Sequence, residues 1–327
     1  MTRAAGSWYA QRPVTVIGGF GFIGSNLSER LASLGARVTV VTRSLDRHRA
    51  AASDVEQRGI RVREGDLRDA AAMRDAVAGQ EVVFNLAGQS GATQSMDDPW
   101  TDLDVNCRGN LVLLEALRAH APAAKLVFVG SRLAYGHGGI EPVAEERAPD
   151  PLCIHAVHKL AVERYLAIYG HAYGLTYAAA RLTNPYGPGQ PRERSAYGVV
   201  NRLIHLALSD ETLPIYGDGR QQRDYIYVDD AVAAVVALGE AASANGRIYN
   251  VGSGAGTPLV EMARTIASIA GGGRIEHRPW PQLAARIETG DFVADISRIR
   301  REIGWEPRVS LHDGLRRTVA FYRAHAA

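Results

Sequence analysis

The sequence predicts an α/β fold in which a doubly wound parallel sheet carries a smaller α/β lobe toward its C-terminus. The fold class rests on two observations, the strand-like runs and the helical segments between them. The predicted strands are the apolar runs at 14–17, 38–41, 61–63, 82–86, 126–129 and 177–182, and the predicted helices include 70–78, 102–120 and 154–173. Strands that alternate with helices are typical of parallel sheets covered by helices on both faces. With 327 residues, the chain is long enough for one large domain and an added lobe.

The first predicted strand ends in a turn with a glycine at every third position. In a dinucleotide-binding turn the first glycine permits the tight bend, the second lets the backbone approach a phosphate, and the third lets helix and strand pack closely. The N–H groups at the start of the next helix then point toward the anion. A helical pattern, Gly35 as a stop and a second strand at 37–42 complete a βαβ unit. The sequence therefore predicts a Rossmann-type dinucleotide site at Gly18, Gly21, Phe22, Ile23 and Gly24.

The end of the second strand bears on the choice between NAD and NADP. Enzymes that take NAD usually place an acidic residue there, but this chain has Thr42, Arg43 and Ser44. Arg43 could pair with a 2′-phosphate and Ser44 could donate a hydrogen bond to it, although a solvated surface arginine is the alternative. NADP is therefore admissible, and NAD is not excluded. Further cofactor contacts are expected after the third and fourth strands, at Asp66, Leu67, Leu86, Ala87 and Gly88.

Charge and apolar patterning exclude several classes of protein. The 37 basic residues nearly balance the 35 acidic ones, so no global field indicates a nucleic-acid or membrane binder. The N-terminal segment has no apolar core of a signal peptide, and no later window approaches eighteen apolar residues. The two cysteines, Cys107 and Cys153, lie in apolar helix-like stretches, where thiols are usually buried and inert. We expect a soluble, cytoplasmic protein without a metal site.

The alternation of strands and helices breaks after residue 182. The segment at 184–191 is rich in proline and glycine, and a less regular region follows. Two later runs, at 225–228 and 249–252, could return to the first sheet as strands. We therefore expect interleaved domains. The expected boundaries are 12–184 plus about 223–252 for an NAD(P)-binding domain, and about 185–222 plus 253–327 for a substrate-binding lobe.

Six motifs occur in order along the chain. They are Gly18-Gly-Phe-Gly-Phe-Ile-Gly24, Gly65-Asp-Leu67, Asn85-Leu-Ala-Gly88, Val105-Asn106, Asn184-Pro-Tyr-Gly-Pro188 and Arg223-Asp-Tyr-Ile-Tyr-Val-Asp-Asp230. Together they resemble the extended short-chain dehydrogenases, in particular their nucleotide-sugar epimerase and dehydratase branch. The resemblance runs from about Val14 to the Gly304-Trp-Glu-Pro307 segment. It implies a two-lobed homodimer that keeps NAD or NADP tightly bound and oxidises, then re-reduces, a sugar hydroxyl, usually at C4.

The acid/base set of that family is a serine or threonine, a tyrosine, and a lysine four residues after the tyrosine. Ser131 and Lys159 match this pattern, but His155 stands where the tyrosine is expected. An imidazole with a pKa near its usual value of about 6.5 can act as a base at neutral pH. The i,i+4 spacing places it on the same helix face as Lys159, whose charge would keep it neutral. The alternative is a ring too short to reach the sugar. His158 points about 100° away from Lys159 and is expected to pack or face solvent.

The two residues after Ser131 bear on the reaction. Dehydratases of this branch place an acidic pair or a glutamate there, because eliminating water needs an extra acid and base. Arg132 and Leu133 occupy these positions, which favours epimerisation or simple oxidation at C4. A dehydratase of a nucleotide sugar or nucleoside is one alternative, and a cofactor-binding protein whose catalysis has decayed is another.

The resemblance also implies the substrate contacts. Arg223 is expected to fork onto a nucleotide diphosphate, and Arg286 to add a second cation. Asn184 lies where the family touches the same phosphates, and Lys159 is expected to bind the nicotinamide ribose hydroxyls as well. The expected substrate-binding residues are Gln89, Ser90, Asn184, Tyr186, Arg223 and Arg286.

Overall fold

The computed structural model describes residues 6–89, 91–139, 141–190 and 198–325, and the chain divides into two units. The first unit comprises Met1–Ser131, Cys153–Arg181 and Val232–Tyr249. The second comprises Arg132–Leu152, Leu182–Ala231 and Asn250–Ala327. This division differs from the expected boundaries because it assigns 132–152, 182–184, 223–231 and 250–252 to the second unit.

Strands and helices alternate through the first half of the chain. The strands are β1 (Pro13–Ile17), β2 (Arg37–Thr42), β3 (Arg61–Glu64), β4 (Val82–Asn85), β5 (Lys125–Ser131), β6 (Thr176–Leu182), β7 (Asn184–Tyr186), β8 (Thr212–Tyr216), β9 (Gln222–Tyr227), β10 (Arg247–Val251), β11 (Gly256–Pro258) and β12 (Arg274–Arg278). The α-helices are α1 (Phe22–Ser33), α2 (Arg49–Gln57), α3 (Ala70–Val77), α4 (Ala92–Asp97), α5 (Pro99–Leu103), α6 (Gly109–His120), α7 (Ile154–Tyr173), α8 (Val199–Leu208), α9 (Val228–Glu240), α10 (Leu259–Ala270), α11 (Gln282–Arg286), α12 (Ser297–Ile303) and α13 (Leu311–Ala324). Every helix in the described part of the chain is too short or too polar to cross a bilayer.

Seven strands form one sheet in the order β10-β6-β5-β4-β1-β2-β3. The pairs β1·β2, β2·β3, β1·β4 and β4·β5 are all parallel. The strand order reverses at β1, which lies between β2 and β4, so the loops after β1 and β4 leave the same edge of the sheet on either side of the reversal. In doubly wound sheets this switch point is where ligands bind. The predicted Rossmann-type α/β class is confirmed.

Large apolar side chains fill the space between this sheet and its helices. Phe128 on β5, Leu113 on α6 and Leu166 on α7 are all completely buried in one cluster. Burial of side chains of this size contributes about 1.5–3 kcal/mol each to folding. The strand ends are thereby held on a packed scaffold, which positions the residues that follow them.

The predicted helix over 102–120 is interrupted. A π-helical turn, Asp104–Arg108, separates α5 from α6. A π-turn accommodates one extra residue and is frequent at functional sites. The sequence pattern does not reveal it, because the flanking residues are all compatible with a continuous helix. Asp102 and Asn106 are both completely buried around this turn.

The second unit has its own core. Strands β7, β9 and β11 form a three-stranded sheet, and β8 pairs in parallel with β12. Residues 225–227 of the run expected at 225–228 therefore lie in this small sheet, as the end of β9, and Val228 begins α9. An apolar run predicts a buried strand but carries no information about which sheet the strand joins. Tyr186, Ile204 and Leu315 belong to the core of this unit and are completely buried.

Candidate active site

The glycine turn after β1 has the geometry of a phosphate-binding loop. Gly18 has a φ of +83°, and a Cβ on it would lie 2.8 Å from the backbone nitrogen of Ala87. A Cβ on Gly24 would lie 2.2 Å from the carbonyl oxygen of Gly18. Helix α1 starts at Phe22, directly after the turn, with no acidic residue in its first turn. Because the first N–H groups of a helix lack intrahelical partners, this end of α1 suits an anion such as the dinucleotide pyrophosphate.

The turn after β4 lies beside the glycine turn. The backbone N–H of Leu86 donates to the carbonyl oxygen of Ile17 at 2.9 Å. Asn85 is completely buried and accepts from the backbone N–H of Ala87 at 3.1 Å, while its own amide donates to Asn110 at 2.8 Å. The predicted cofactor residues after β1 and β4 are thus neighbours, and Asn85 fixes the second turn.

The residues expected to contact the adenosine end follow β2 and β3. The N–H of Gly65 donates to the carbonyl oxygen of Thr42 at 2.9 Å, which holds the two strand ends together. Asp66 accepts hydrogen bonds from the guanidinium of Arg68 at 2.9 and 2.7 Å. These hydrogen bonds, with a smaller contribution from the charge of Arg43, hold the pKa of Asp66 below its usual range. Arg43 itself is exposed to solvent.

Helix α7 carries two of the three predicted catalytic residues, His155 and Lys159. His155 and Lys159 are buried one turn apart. The ammonium of Lys159 donates to the carbonyl oxygen of Val129 at 3.1 Å and lies 4.9 Å above the ring of Phe128. Ser131 is the last residue of β5, two residues beyond Val129. Burial lowers the pKa of Lys159 to about 8.

Gly88 lies where the turn after β4 approaches Lys159 of α7. A Cβ on this glycine would lie 3.4 Å from Nζ of Lys159 and 2.6 Å from Oδ1 of Asn106. The missing side chain therefore lets both groups approach the turn. The amide of Asn106 also donates to the carbonyl oxygen of Gln89 at 3.0 Å. The backbone of Gln89, a predicted substrate-binding residue, is thus hydrogen-bonded within the protein. Ser90 lies outside the described residues.

His155 lies in a polar pocket formed by α5, the π-turn and its own helix. Its Nδ1 lies 3.4 Å from Nδ2 of Asn106 and 3.5 Å from Oδ2 of Asp102. Burial is the main cause that lowers the pKa of His155 below its usual value, and the charge of Lys159 adds to it. Both effects favour the neutral imidazole. The sequence-based expectation names only the charge of Lys159, whereas burial is the larger effect.

His158 and Asp102 depart from the sequence-based expectations. Nδ1 of His158 lies 2.6 Å from Oδ1 of Asp102, so His158 is hydrogen-bonded instead of simply packed or solvated. Asp102 is not among the site residues predicted from the sequence. A weak signal exists in the sequence, since Asp102, Asn106 and Asn110 are polar residues at four-residue intervals in a largely apolar helical segment.

The second unit holds the residues predicted to bind the diphosphate. Arg223 is buried, and its guanidinium donates to Glu288 and to the carbonyl oxygen of Gly290. The amide of Asn184 donates to the carbonyl oxygen of Asp224 at 2.8 Å. Arg286 is exposed at the end of α11.

Tyr186 and Arg132 occupy buried positions in the second unit. Tyr186 is completely buried, and its hydroxyl donates to the carbonyl oxygen of Leu311 at 3.1 Å, so we treat it as a core residue and not as a substrate contact. Arg132 donates to the hydroxyl of Thr289 at 2.6 Å. Burial lowers the pKa of Arg132 to about 10, which still leaves it charged at neutral pH.

Comparisons with known proteins identify the family of this chain. Residues 14–252 match the NAD dependent epimerase/dehydratase family. The chain is 35% identical over 319 residues to a UDP-glucose 4-epimerase of Mycolicibacterium smegmatis, which covers 94% of this chain and 97% of that protein. It is 30% identical over 318 residues to a dTDP-glucose 4,6-dehydratase of Streptomyces griseus, which covers 95% and 94%.

A solved structure extends the match to three dimensions. The UDP-glucose 4-epimerase of Thermus thermophilus, in complex with NAD, superposes with a TM-score of 0.83 at 30% identity and covers 95% of this chain and 99% of that chain. The family identified from the sequence motifs is thereby confirmed. This chain belongs to the NAD-dependent epimerase/dehydratase family of enzymes.

Proposed function

We propose that this chain is an NAD(P)-dependent nucleotide-sugar epimerase in which His155 removes and returns the proton of a sugar hydroxyl, at C4. The observation that carries the proposal is a buried imidazole one helical turn from Lys159, whose ammonium lies beside the turn at Gly88. A base must be unprotonated at working pH, and burial gives His155 that state without further tuning. The relative from M. smegmatis, a UDP-glucose 4-epimerase, supports the reaction class.

The chain's own groups divide the work of the reaction. When bound, NAD(P) supplies the hydride acceptor. His155 takes the hydroxyl proton as the C–OH becomes C=O, and returns it when the carbon is reduced again from its other face. Ser131 is assigned a hydrogen bond to the same sugar hydroxyl. Lys159 is assigned hydrogen bonds to the ribose hydroxyls of the cofactor. With a pKa of about 8, Lys159 is largely protonated at pH 7 and can donate these hydrogen bonds.

The diphosphate of the substrate is assigned to the second unit. Arg223 carries a fixed charge and a planar fork of donors that matches phosphate oxygens. It already donates to Glu288 and Gly290, so binding a diphosphate requires at least part of that pairing to be exchanged. Asn184 and the exposed Arg286 are the further candidate contacts, and Gln89 and Ser90 are the candidates on the sugar side.

The cofactor assignment includes both NAD and NADP. No acidic residue follows β2 directly, and the exposed Arg43 is available for a 2′-phosphate, with Ser44 beside it. The adenine end is assigned to Asp66 and Leu67.

We also propose a homodimer built through α5 and α7. Val157 and Ile168, eleven residues apart on α7, lie on the same helix face and are 45% and 58% exposed. Trp100 on α5 is 77% exposed. Exposed apolar side chains grouped on adjacent helices favour a protein partner, and a second copy of this chain is the partner that the family resemblance implies.

A dehydratase is the second candidate, and the relative from S. griseus supports it. Arg132 and Leu133 stand where that chemistry usually places carboxylates, and Arg132 stays cationic at neutral pH. A dehydratase would therefore need another acid and base. Products separate the two reactions, because dehydration consumes the hydroxyl and releases water whereas epimerisation exchanges one stereocentre.

The experiment is to incubate the purified enzyme with UDP-glucose, then with dTDP-glucose, and to follow the sugar by proton NMR. We expect interconversion of the C4 epimers, and a loss of about 10²–10⁴-fold in turnover for His155→Phe. His171→Phe, the same change at an exposed position of α7, is the matched control and should keep wild-type turnover. Wild-type turnover in His155→Phe would contradict the proposal. A dehydrated product would favour the second candidate, and no turnover or cofactor reduction with either sugar would favour the decayed binding protein.

A further inference from the structure

Asp102 is a buried carboxylate in which one oxygen is hydrogen-bonded and the other has no hydrogen-bond partner among the described residues. Its side chain is completely buried. Nδ1 of His158 lies 2.6 Å from Oδ1, and because a carboxylate only accepts hydrogen bonds, this nitrogen carries the proton. Oδ2 has no hydrogen-bond partner in the described part of the chain. The imidazole nitrogen Nδ1 of His155 lies 3.5 Å from it, at the outer limit of a hydrogen bond.

Two groups compete for Nδ1 of His155. If this nitrogen is protonated it donates to Oδ2 of Asp102, and if it is not protonated it accepts from Nδ2 of Asn106, 3.4 Å away. Nδ2 of Asn106 already donates to the carbonyl oxygen of Gln89 at 3.0 Å. A buried charged oxygen without a donor costs more free energy than one unpaired amide hydrogen. The proton therefore belongs on Nδ1, directed at Asp102.

Asp102 remains ionised in this pocket. Burial by itself would raise its pKa, but the neighbouring polar groups His155, Asn106 and His158 together outweigh burial and hold the pKa at about 2. An ionised acceptor is stronger than a neutral one, which favours the Nδ1–H form of His155 further.

We propose that Asp102 is a positioning residue that holds His155 as its Nδ1–H tautomer, so that Nε2 presents the lone pair that accepts the substrate proton. The inference rests on the proposed function of His155 as the base. None of the hydrogen bonds of His155 within the described residues uses Nε2. In the opposite tautomer Nε2 would carry a proton and could not act as a base.

The local fold supports this arrangement from every element that faces His155. Asp102 comes from α5 and Asn106 from the π-turn four residues later. Ser95 on α4 accepts from the backbone N–H of His155 at 3.0 Å and so anchors the first turn of α7. The titratable groups around the ring are Asp102, His158 and Lys159. Of these, Asp102 is the group whose second oxygen lacks a hydrogen-bond donor in the described part of the chain and lies 3.5 Å from Nδ1 of His155.

The first test measures the tautomer directly. The enzyme, with the cofactor it retains on purification, is labelled with ¹⁵N-histidine, and His155 is assigned by the signals missing from His155→Gln. At pH 7.5 we expect Nδ1 to show the chemical shift of a protonated nitrogen and Nε2 that of an unprotonated one. Protonation on Nε2 of His155 in the wild-type enzyme would overturn the proposal.

The second test is kinetic. Asp102→Asn should lower kcat on the order of 100-fold with little change in KM, because the base is held in the wrong form while binding is unchanged. Loss of the negative charge should also shift the acid limb of kcat/KM to lower pH, since Asp102 raises the pKa of His155. Asp97→Asn removes the same charge from an exposed position at the end of α4 and should change neither quantity.

The outcomes distinguish this inference from the function on which it rests. If His155→Phe turns over at the wild-type rate, the proposed function fails. If His155→Phe is inactive while Asp102→Asn keeps wild-type kcat and an unmoved acid limb, the role of Asp102 alone fails. A purely structural role for Asp102 would lower the amount of folded enzyme but leave the acid limb in place.

Discussion

Lys159 donates a hydrogen bond from its ammonium to the carbonyl oxygen of Val129 at 3.1 Å. This contact joins α7 to the end of β5, but it buries a charge. Burial lowers the pKa of Lys159 from 10.5 to about 8. Burial thus disfavours the protonated form of Lys159 in the folded protein. The contribution of Lys159 to the free energy of unfolding therefore depends on pH.

The stability cost of Lys159 should be visible as a pH dependence. Between pH 8 and 10.5 the unfolded chain binds more protons at this position than the folded chain, so the free energy of unfolding rises with pH in that window. Relative to Lys159→Met, cofactor-free wild type should gain up to about 1.4 kcal/mol per pH unit there. Urea unfolding at pH 7.5 and 9.5 measures the difference.

Lys125 provides a matched control, because the chain has only these two lysines. Lys125 donates to the carbonyl oxygen of Ala241 at 2.7 Å, and burial lowers its pKa to about 8 as well. The difference in unfolding free energy between wild type and Lys125→Met should show a similar pH dependence, and the affinity for NAD should be unchanged. Lys159→Met should in addition lower the affinity for NAD. A stability difference that stays constant from pH 7.5 to 9.5 would contradict the burial argument.

The sequence predicts the parts of the site that depend on local spacing. The glycine turn from Gly18 to Gly24 is defined by residues a few positions apart and by the strand and helix that flank it. His155 and Lys159 share a helix face because they are four residues apart. Both relationships follow from backbone geometry alone and are present in the structure.

The parts that the sequence does not predict depend on packing between distant elements. Asp102 meets His158 across 56 residues, through the packing of α5 on α7. The burial of Tyr186 similarly depends on the core of the second unit. A periodic pattern predicts that a residue is buried but not what it contacts, so neither relationship is readable from the chain.

Gly24 should tolerate a methyl group less well than Gly21 does. In Gly24→Ala the new Cβ would lie 2.2 Å from the carbonyl oxygen of Gly18 and 2.9 Å from Cα of Gly19, both backbone atoms that cannot rotate away. In Gly21→Ala the nearest atom lies at 3.2 Å. We expect Gly24→Ala to lose about 1–3 kcal/mol of cofactor-free stability and at least tenfold in NAD affinity. Equal stability of the two variants in denaturant titrations would show that the turn is looser than the structure has it.

Ile168 should control self-association. It is 58% exposed on the same face of α7 as Val157, and an aspartate there would have to be desolvated in any interface built on that face. If the proposed dimer forms through this face, Ile168→Asp should sediment as a monomer at concentrations at which the wild type sediments as a dimer. Val199→Asp, an exposed apolar residue of α8 in the second unit, is the control and should leave the dimer intact. A dimer that survives Ile168→Asp would place the interface elsewhere.

Arg43 should decide how well the enzyme binds NADP. A guanidinium that pairs with a 2′-phosphate makes charge-assisted hydrogen bonds of about 1.5–3 kcal/mol, which correspond to roughly 10–100-fold in affinity. NAD has a hydroxyl in place of that phosphate and gains little from the charge. Arg43→Ala should therefore lower the affinity for NADP by that factor, while the affinity for NAD stays within about twofold of the wild-type value. Calorimetric titration of the cofactor-free enzyme measures both affinities. Arg47→Ala, an exposed arginine in the next turn, is the matched control for lost surface charge. If Arg43→Ala changes neither affinity, or if the wild type does not bind NADP, Arg43 is a solvated surface residue and the 2′-phosphate assignment fails. Equal weakening of both cofactors would place Arg43 at a part of the cofactor that NAD and NADP share.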